Sequence, residues 1–447
     1  MKASAPPGSR LPGVVQAVRF SRDPLGFVER YQKRYGKVFS VPFPAYGRMM
    51  YIADPELVKQ VFTGDPATFH AGEANARALE PILGRFSLLT LDRDEHMSQR
   101  KLLLPPFHGD AVRRYRDLIA EVTADEVSRW PVGRPFALRP RMQAITLDVI
   151  LRAVFGVRGE ARLDRFRALL PRLGESAGLQ MWLPFLRRNL GPWSPWAKFL
   201  RMRAEVDELV YDEIRRRRES PDAAERDDVL SLLLQARHED GTPMSDRELR
   251  DELITLLTAG HETSATALAW AFERLLRHPK ALARLTEEVD AGGDEYADAV
   301  VKETLRVRPV IIDVARLVKS DTQLGRWHVR AGTIVVPAIA LVQLMPEVYE
   351  NPHEFRPERF LDGQPAPYTW IPFGGGVRRC LGAAFAQLEI RTVLQTVVAR
   401  AVLRAPDQAP ERIRLRHVTL VPAHDTRVVL EARRGRQAPA GVAATYA

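Results

Sequence analysis

The chain has a single cysteine, Cys380, in 447 residues, so no intramolecular disulfide can form and no cysteine-rich zinc site can be built. It also lacks a long apolar run. The longest uncharged apolar stretch, Thr333 to Pro346, is broken by Pro337 and falls short of the ~20 residues that span a bilayer. Met1 to Pro12 carries Pro, Ser, Lys2 and Arg10 but no apolar signal-peptide core. These absences predict a soluble, cytoplasmic protein. No internal repeat and no low-complexity linker divides the chain into independent domains.

What is present is ordinary globular composition, 45% hydrophobic and 27% charged, enough for a large core. The 66 Lys and Arg against 56 Asp and Glu leave a net +10, which suits an acidic partner, nucleic acid or an anionic surface without choosing between them. Hydrophobic spacing predicts a helix from Asp23 to Tyr35, strands in VFSVPF and RMMYIAD, and a helix starting at Asp54. From His70 to Leu91 the period is lost and Gly72, Pro81 and Gly84 intervene, which reads as a long functional loop. Helices follow over Asp92–Leu104, Gly109–Trp130, Arg141–Phe155, Ala161–Leu173, Ser194–Arg218 and Asp227–Arg237.

The longest periodic stretch opens at Ser245, where Ser245 and Glu248 form a capping box, and meets no proline until Pro279; a helix of that length crosses the molecule. Two further helices, near Pro279–Val289 and Asp294–Arg306, precede strands in ARLVKS, TQLGRWHV and TIVVPA. An irregular stretch from Met345 to Pro372 leads to a glycine cluster and a helix over Ala383–Ala401. The expected fold is mainly α with a small β-sheet region, about 36–53 and 313–336, in one domain over 21–433. Residues 1–20 form an N-terminal extension and 434–447 a disordered tail.

The glycine cluster surrounds the cysteine: Phe373-Gly374-Gly375-Gly376-Val377-Arg378-Arg379-Cys380-Leu381-Gly382. Glycines let a loop fold tightly against a flat ligand. At a helix N-terminus the sulfur meets the positive end of the helix dipole and free N–H donors, which favour thiolate, a metal ligand. A lone cysteine is as readily a small buried hydrophobe. A phosphate-binding loop is excluded because no Gly-Lys-Ser/Thr follows.

Phe373, Gly376, Arg378, Cys380 and Gly382 together match Phe-x-x-Gly-x-Arg-x-Cys-x-Gly, and on these residues the chain resembles the cytochrome P450 family, the haem-thiolate monooxygenases. Three other segments, in the right order, extend the resemblance. Ala259-Gly260-His261-Glu262-Thr263-Ser264, within the long helix, is similar to the family's oxygen-activation motif. Ala259, Glu262 and Thr263 share a face, Gly260 removes bulk where oxygen must sit, and Glu262 with Thr263 implies a proton relay. A zinc reading of His261-Glu262 fails because position 265 is alanine. Glu303 and Arg306, with Arg359 downstream, resemble the family's Glu-x-x-Arg network, a structural trio behind the cysteine loop. His96 and Arg100, with Arg378 and Arg316, are implied to hold the haem propionates.

The resemblance implies haem b ligated by Cys380, O2 as co-substrate, and insertion of one oxygen atom into a hydrophobic small molecule by hydroxylation or epoxidation. With no flavin or iron–sulfur segment in the sequence, electrons are expected from a separate ferredoxin and ferredoxin reductase, or a flavodoxin, docking near Arg378, Arg379 and Arg391. The implied substrate pocket is apolar: Leu79, Leu83, Phe86 and Leu88; Met181, Trp182 and Leu183; Val310, Ile311 and Ile312; Thr419 and Leu420. Asp313 is either a polar anchor there or, as expected of a strand end, a surface acid. A peroxide-driven or isomerising haem-thiolate enzyme remains an alternative, as does a basic helical binding protein in which Cys380 is inert.

Overall fold

The structure is a computed structural model and describes residues 5–44, 46–107, 109–156, 160–177, 186–363, 365–406 and 409–435. In chain order the helices are α1 (Gly13–Arg22), α2 (Pro24–Tyr35), α3 (Pro55–Thr63), α4 (Ala71–Leu83), α5 (Arg93–Leu103), α6 (Asp110–Arg113), α7 (Tyr115–Ser128) and α8 (Leu138–Phe155). They continue with α9 (Glu160–Ala177), α10 (Pro195–Glu219), α11 (Val229–Gln235), α12 (Asp246–Arg277), α13 (Pro279–Asp290), α14 (Glu295–Val307), α15 (Ile339–Gln343) and α16 (Ala383–Arg400). The strands are β1 (Val38–Phe43), β2 (Gly47–Ile52), β3 (Phe69–His70), β4 (Pro135–Ala137), β5 (Arg316–Val318) and β6 (Thr322–Leu324), then β7 (Trp327–Val329), β8 (Ile334–Pro337), β9 (Ala401–Arg404), β10 (Ile413–Arg416), β11 (Thr419–Pro422) and β12 (Arg427–Arg433).

The expected class holds: a helical body carries small sheets at its margins. The largest sheet runs β1-β2-β8-β5-β3. Its β2 and β8 pair in parallel (Met50↔Val335), so β8 has neighbours on both edges and all four of its residues are buried. A second sheet, β4-β12-β9, joins the 135–137 segment to two C-terminal strands, all in parts that the sequence reading left helical. At 32 residues and a rise of 1.5 Å each, α12 is about 48 Å long. The Ser245–Glu248 box starts it, with the Glu248 N–H donating to Ser245 Oγ at 3.3 Å and the Ser245 N–H to Glu248 Oε2 at 2.8 Å. It packs along α8, and its Trp270, fully buried, donates Nε1–H to the Leu420 carbonyl at 2.7 Å.

Three helical stretches depart from the sequence expectation. The expected loop over His70–Leu91 contains α4. Gly72 lies in its first turn, where its N–H donates to Asp92 Oδ1 at 2.8 Å and a Cβ would sit 2.4 Å from the Leu91 carbonyl oxygen. Gly84 ends it at φ 94°, and Pro81 lies inside it. Proline has no N–H for the carbonyl four residues back, and that carbonyl, of Arg77, accepts instead from Arg187 Nη2 at 2.5 Å. Within the 1–20 extension α1 is helical but inverted: Val14 and Val18 face outward while Gln16 is buried between Ser9 (2.6 Å) and Tyr31 (2.7 Å), so no apolar stripe marks it. The single helix expected over Gly109–Trp130 is two, α6 and α7. The tail beyond 435 lies outside the described residues.

The segment before the cysteine loop is fastened by buried charge. Glu303 Oε2 and Oε1 accept from Arg306 Nε and Nη2 at 2.7 and 2.8 Å, and Oε1 also from Arg359 Nε at 3.1 Å and the Arg356 N–H at 2.9 Å. Arg306 spends its remaining donors on the carbonyls of Gln343, Pro352 and Glu354. Glu303→Ala strands two enclosed guanidiniums, and chemical denaturation should register a loss of about 3–5 kcal/mol.

Candidate functional site

A cavity of about 1000 Å³ lies between the cysteine loop and the middle of α12, at the upper end of small-molecule sites and roomy enough for two occupants. Thr258 and Ala259 are exposed although the helix around them is buried, because they face this space. Opposite them, Phe373, Gly374, Cys380 and Gly382 form the other wall. The loop is shaped by contact with α3. Gly376 has φ 63° and a Cβ there would stand 1.8 Å from the Phe62 carbonyl oxygen, so only glycine fits. The Cys380 N–H donates to the Phe373 carbonyl at 2.9 Å, closing the turn ahead of α16.

Cys380 opens onto the cavity and is otherwise enclosed. Burial pushes its thiol above the ordinary value, against the Gly382 N–H and the charges of Arg100 and Arg379. Burial thus opposes the thiolate that the helix end favours; coordination to a metal cation would deprotonate the sulfur outright.

One rim of the cavity carries His96, Arg100, Arg316 and Arg378. Burial, then Arg378, Arg100 and Arg316, hold His96 down to about 3. Burial and then Arg378 lower Arg316 to about 10, while burial lowers Arg378 to about 10 against the opposing charge of Asp92. Asp92 meets Arg378 at 2.5 Å, Arg316 bonds only its neighbour's carbonyl (Ala315, 2.8 Å), and Arg100 has no hydrogen-bond or ion-pair partner among the described residues. A rim with this excess of positive charge fits a ligand edge bearing two anionic groups, and the enclosed soft sulfur fits a metal held in that ligand. Haem has both.

The residues of the expected oxygen-activation motif line the opposite wall, though the Glu262 and Thr263 side chains do not bond to each other. Thr263 Oγ1 donates to the Ala259 carbonyl at 2.6 Å. Glu262 is held on α8, accepting from Arg139 Nη1 at 3.0 Å and Gln143 Nε2 at 2.5 Å. A Cβ at Gly260 would meet Ile150 Cδ1 at 3.1 Å, so the missing side chain admits α8 rather than serving oxygen alone.

Of the implied substrate residues, Leu79, Leu83, Leu88, Val310, Ile311 and Thr419 line the cavity. Phe86, Ile312 and Leu420 do not: the Phe86 N–H is tied to Asp251 (3.0 Å), while Ile312 and Leu420 pack in the core beside the large sheet. Met181, Trp182 and Leu183 lie outside the described residues. Asp313 is neither anchor nor surface acid. Burial raises its carboxyl to about 7 against a hydrogen bond with Tyr51, and Oδ2 has no partner. Arg391 is occupied by Asp298 (2.9 Å) and Asp294 (3.5 Å), and Arg378 turns inward, so only Arg379 of the three expected docking arginines is exposed.

A family model described as Cytochrome P450 matches residues 5–428. The chain is 46% identical over 438 residues to the putative cytochrome P450 135B1 of Mycobacterium tuberculosis, covering 96% of this chain and 92% of the relative. It is 41% identical over 429 residues to the putative cytochrome P450 138 of the same organism, 96% of each chain. Among solved structures it is similar to a retinoic acid-bound cyanobacterial CYP120A1 (TM-score 0.84, 25% identity, 96% of this chain and 99% of that one) and to the cytochrome P450DA heme domain (0.83, 25%, 98% and 99%). A mainly α fold closed over a cysteine-walled cavity defines the class as haem-thiolate oxidoreductases. The chain belongs to the cytochrome P450 family; it is a monooxygenase and its cofactor is haem b. No helix among the described residues is long and apolar enough to cross a membrane.

Arg139, Gln143 and Asp92 were not legible in sequence: each is a lone polar residue whose partner lies far along the chain. Equally hidden is Glu389 of α16, fully buried beneath α12, which burial raises to about 8 against the influence of nearby Ser264, and neither carboxylate oxygen has a hydrogen-bond partner among the described residues. With its folded value above the unfolded one near 4.5, the folded state binds the extra proton between these limits. Stability is then complete below about pH 4.5 and declines as pH rises through 8, by about 1.4 kcal/mol per unit. Glu389→Gln should flatten that slope, matching the parent at pH 4.5 and exceeding it at pH 8 in denaturant titrations.

Proposed function

We propose that the protein inserts one atom of O2 into an apolar small molecule, by hydroxylation or epoxidation, with electrons from a separate ferredoxin-type or flavodoxin-type donor. The observation that carries this reading is the cavity itself, with a cysteine on one wall, the exposed middle of α12 on the other, and between them a cationic rim only partly offset by Asp92. Cys380 would bind the haem iron through its sulfur. Arg100, Arg316, Arg378 and His96 would hold the propionates through charge-assisted contacts. Bound there, the haem supplies the iron chemistry by which dioxygen is reduced and one of its atoms transferred.

The residues of α12 manage the protons. Thr258, Ala259 and Gly260 keep the wall low. Thr263 holds a proton on Oγ1 toward the Ala259 carbonyl and delivers it to the cavity by turning about χ1; Glu262 resupplies it. The balance requires two protons and two electrons for the oxygen atom that leaves as water. Leu79, Leu83, Leu88, Val310 and Ile311 exclude bulk water and orient the substrate by shape. Retinoic acid, held by one structural neighbour, is a first compound to titrate.

Cys380→Ser should abolish the red-shifted band of the reduced carbon monoxide complex while helical content persists; a retained band overturns the ligand assignment. Thr263→Ala should keep haem and divert electrons to peroxide, measured as peroxide per reductant consumed. Arg379→Glu should slow reduction by an acidic donor and reduce the salt dependence of that rate, followed by stopped-flow at several ionic strengths.

A further inference from the structure

Glu262 does not stand alone on α8. Arg139, whose side chain is only 3% exposed, is shared between two carboxylates: Nη1 reaches Glu262 Oε1 at 3.0 Å and Nε reaches Asp425 Oδ1 at 2.5 Å. Asp425 lies in the turn between β11 and β12, distant in sequence and partly open to solvent. Its backbone carbonyl accepts the N–H groups of Leu138 and Arg139, fixing the turn on the first residues of α8. It adopts φ 60°, in the left-handed region, where aspartate and asparagine are tolerated and most residues are not.

We propose that Asp425 is a positioning residue for the proton-handling carboxylate, acting through Arg139 to set how firmly Glu262 is held on α8. The inference rests on the reading of Glu262 and Thr263 given above. Both Glu262 oxygens are engaged on α8, one by Arg139 and one by Gln143, so the carboxylate must release at least one contact to serve the cavity. Were Glu262 the only acid on Arg139, its departure would leave an enclosed guanidinium unpaired, at high cost. Asp425 stays on Nε through that excursion and keeps the charge balanced. Glu262 is thereby free to move.

The test uses the haem-loaded full chain. Asp425→Asn is nearly isosteric, suits the left-handed backbone and keeps the carbonyl that caps α8. It should retain the carbon monoxide band and KM, lower kcat about tenfold, the effect of 1.4 kcal/mol on the excursion, and enlarge the solvent deuterium isotope effect on kcat. In an Arg139→Gln background the same substitution should change nothing further. A second readout needs no turnover. Glu262→Gln should lower the melting temperature more in the Asp425→Asn background than in the parent, because only there does Arg139 lose its last acid.

Additive melting shifts overturn the proposal, as does an unchanged isotope effect in Asp425→Asn or a kinetic effect that persists without Arg139. Loss of the carbon monoxide band in Asp425→Asn assigns the residue to the fold and overturns it too. If Thr263→Ala and Glu262→Gln both leave coupling of reductant to product unchanged, the proton-relay reading falls and takes the proposal with it, even where the melting cycle shows the three side chains coupled.

Discussion

Three guanidiniums and an imidazole share one rim of an enclosed cavity with a single carboxylate, Asp92, and the architecture around them serves that imbalance. Arg316 is placed by β5, Arg378 by the cysteine loop, and His96 and Arg100 by one helix face. In this low-dielectric setting burial above all, and then the neighbouring cations, depress His96 and Arg316, while burial depresses Arg378 against the charge of Asp92. A fold that keeps like charges together against this cost has reserved the place for anions. The same cavity presents an enclosed thiol raised by burial, a second group whose preferred state there depends on a metal cation. Haem answers both with one molecule, carboxylates at its edge and iron at its centre.

The other wall is organised by restraint of a different kind. α12 runs through the core with polar groups on several sides, and three of them are tied to neighbouring elements: Asp251 to the backbone of the 84–90 segment, Thr255 to Ser87 at 2.7 Å, Glu262 to α8. The helix is thereby pinned on both sides of its exposed middle. The cavity-facing stretch stays open because its flanks carry the packing. Thr263 is the exception that faces inward with its hydroxyl engaged only within the helix, so its reorientation disturbs no tertiary contact.

The sequence made legible what is encoded locally. The capping box announces α12, the Phe-x-x-Gly-x-Arg-x-Cys-x-Gly pattern marks the cysteine loop, and i, i+3 and i, i+4 spacing places His96 with Arg100 and Glu303 with Arg306. It concealed what depends on partners elsewhere. α4 looked like a loop because Gly72, Pro81 and Gly84 are punctuation in isolation, whereas Asp92 accepts at Gly72 and Arg187 takes the carbonyl that Pro81 cannot serve. α1 was hidden by a buried glutamine that two hydrogen bonds satisfy. Arg139 meets Glu262 and Asp425 across 123 and 286 positions, a separation that no window along the chain can register.

The basic balance of the chain shows most plainly why charge counted from sequence misleads about partners. A surplus of +10 suggests a surface seeking acids, yet many arginines are directed inward to backbone carbonyls, which accept a cation without contributing a countercharge. Arg306 caps three such carbonyls, Arg250 reaches those of Ile82 and Leu83, Arg378 those of Leu88 and Leu91, and Arg433 those of Val127 and Trp130. Helix ends and irregular segments leave carbonyls without intrahelical donors, and the planar, many-donor guanidinium satisfies several at once. Arg306, Arg250 and Arg378 also meet the carboxylates of Glu303, of Asp207 with Asp251, and of Asp92, so these cations are paired as well as spent on backbone. The sum therefore counts arginines that are engaged inside the fold, and a docking argument must rest on the exposed cations, Arg379 among them.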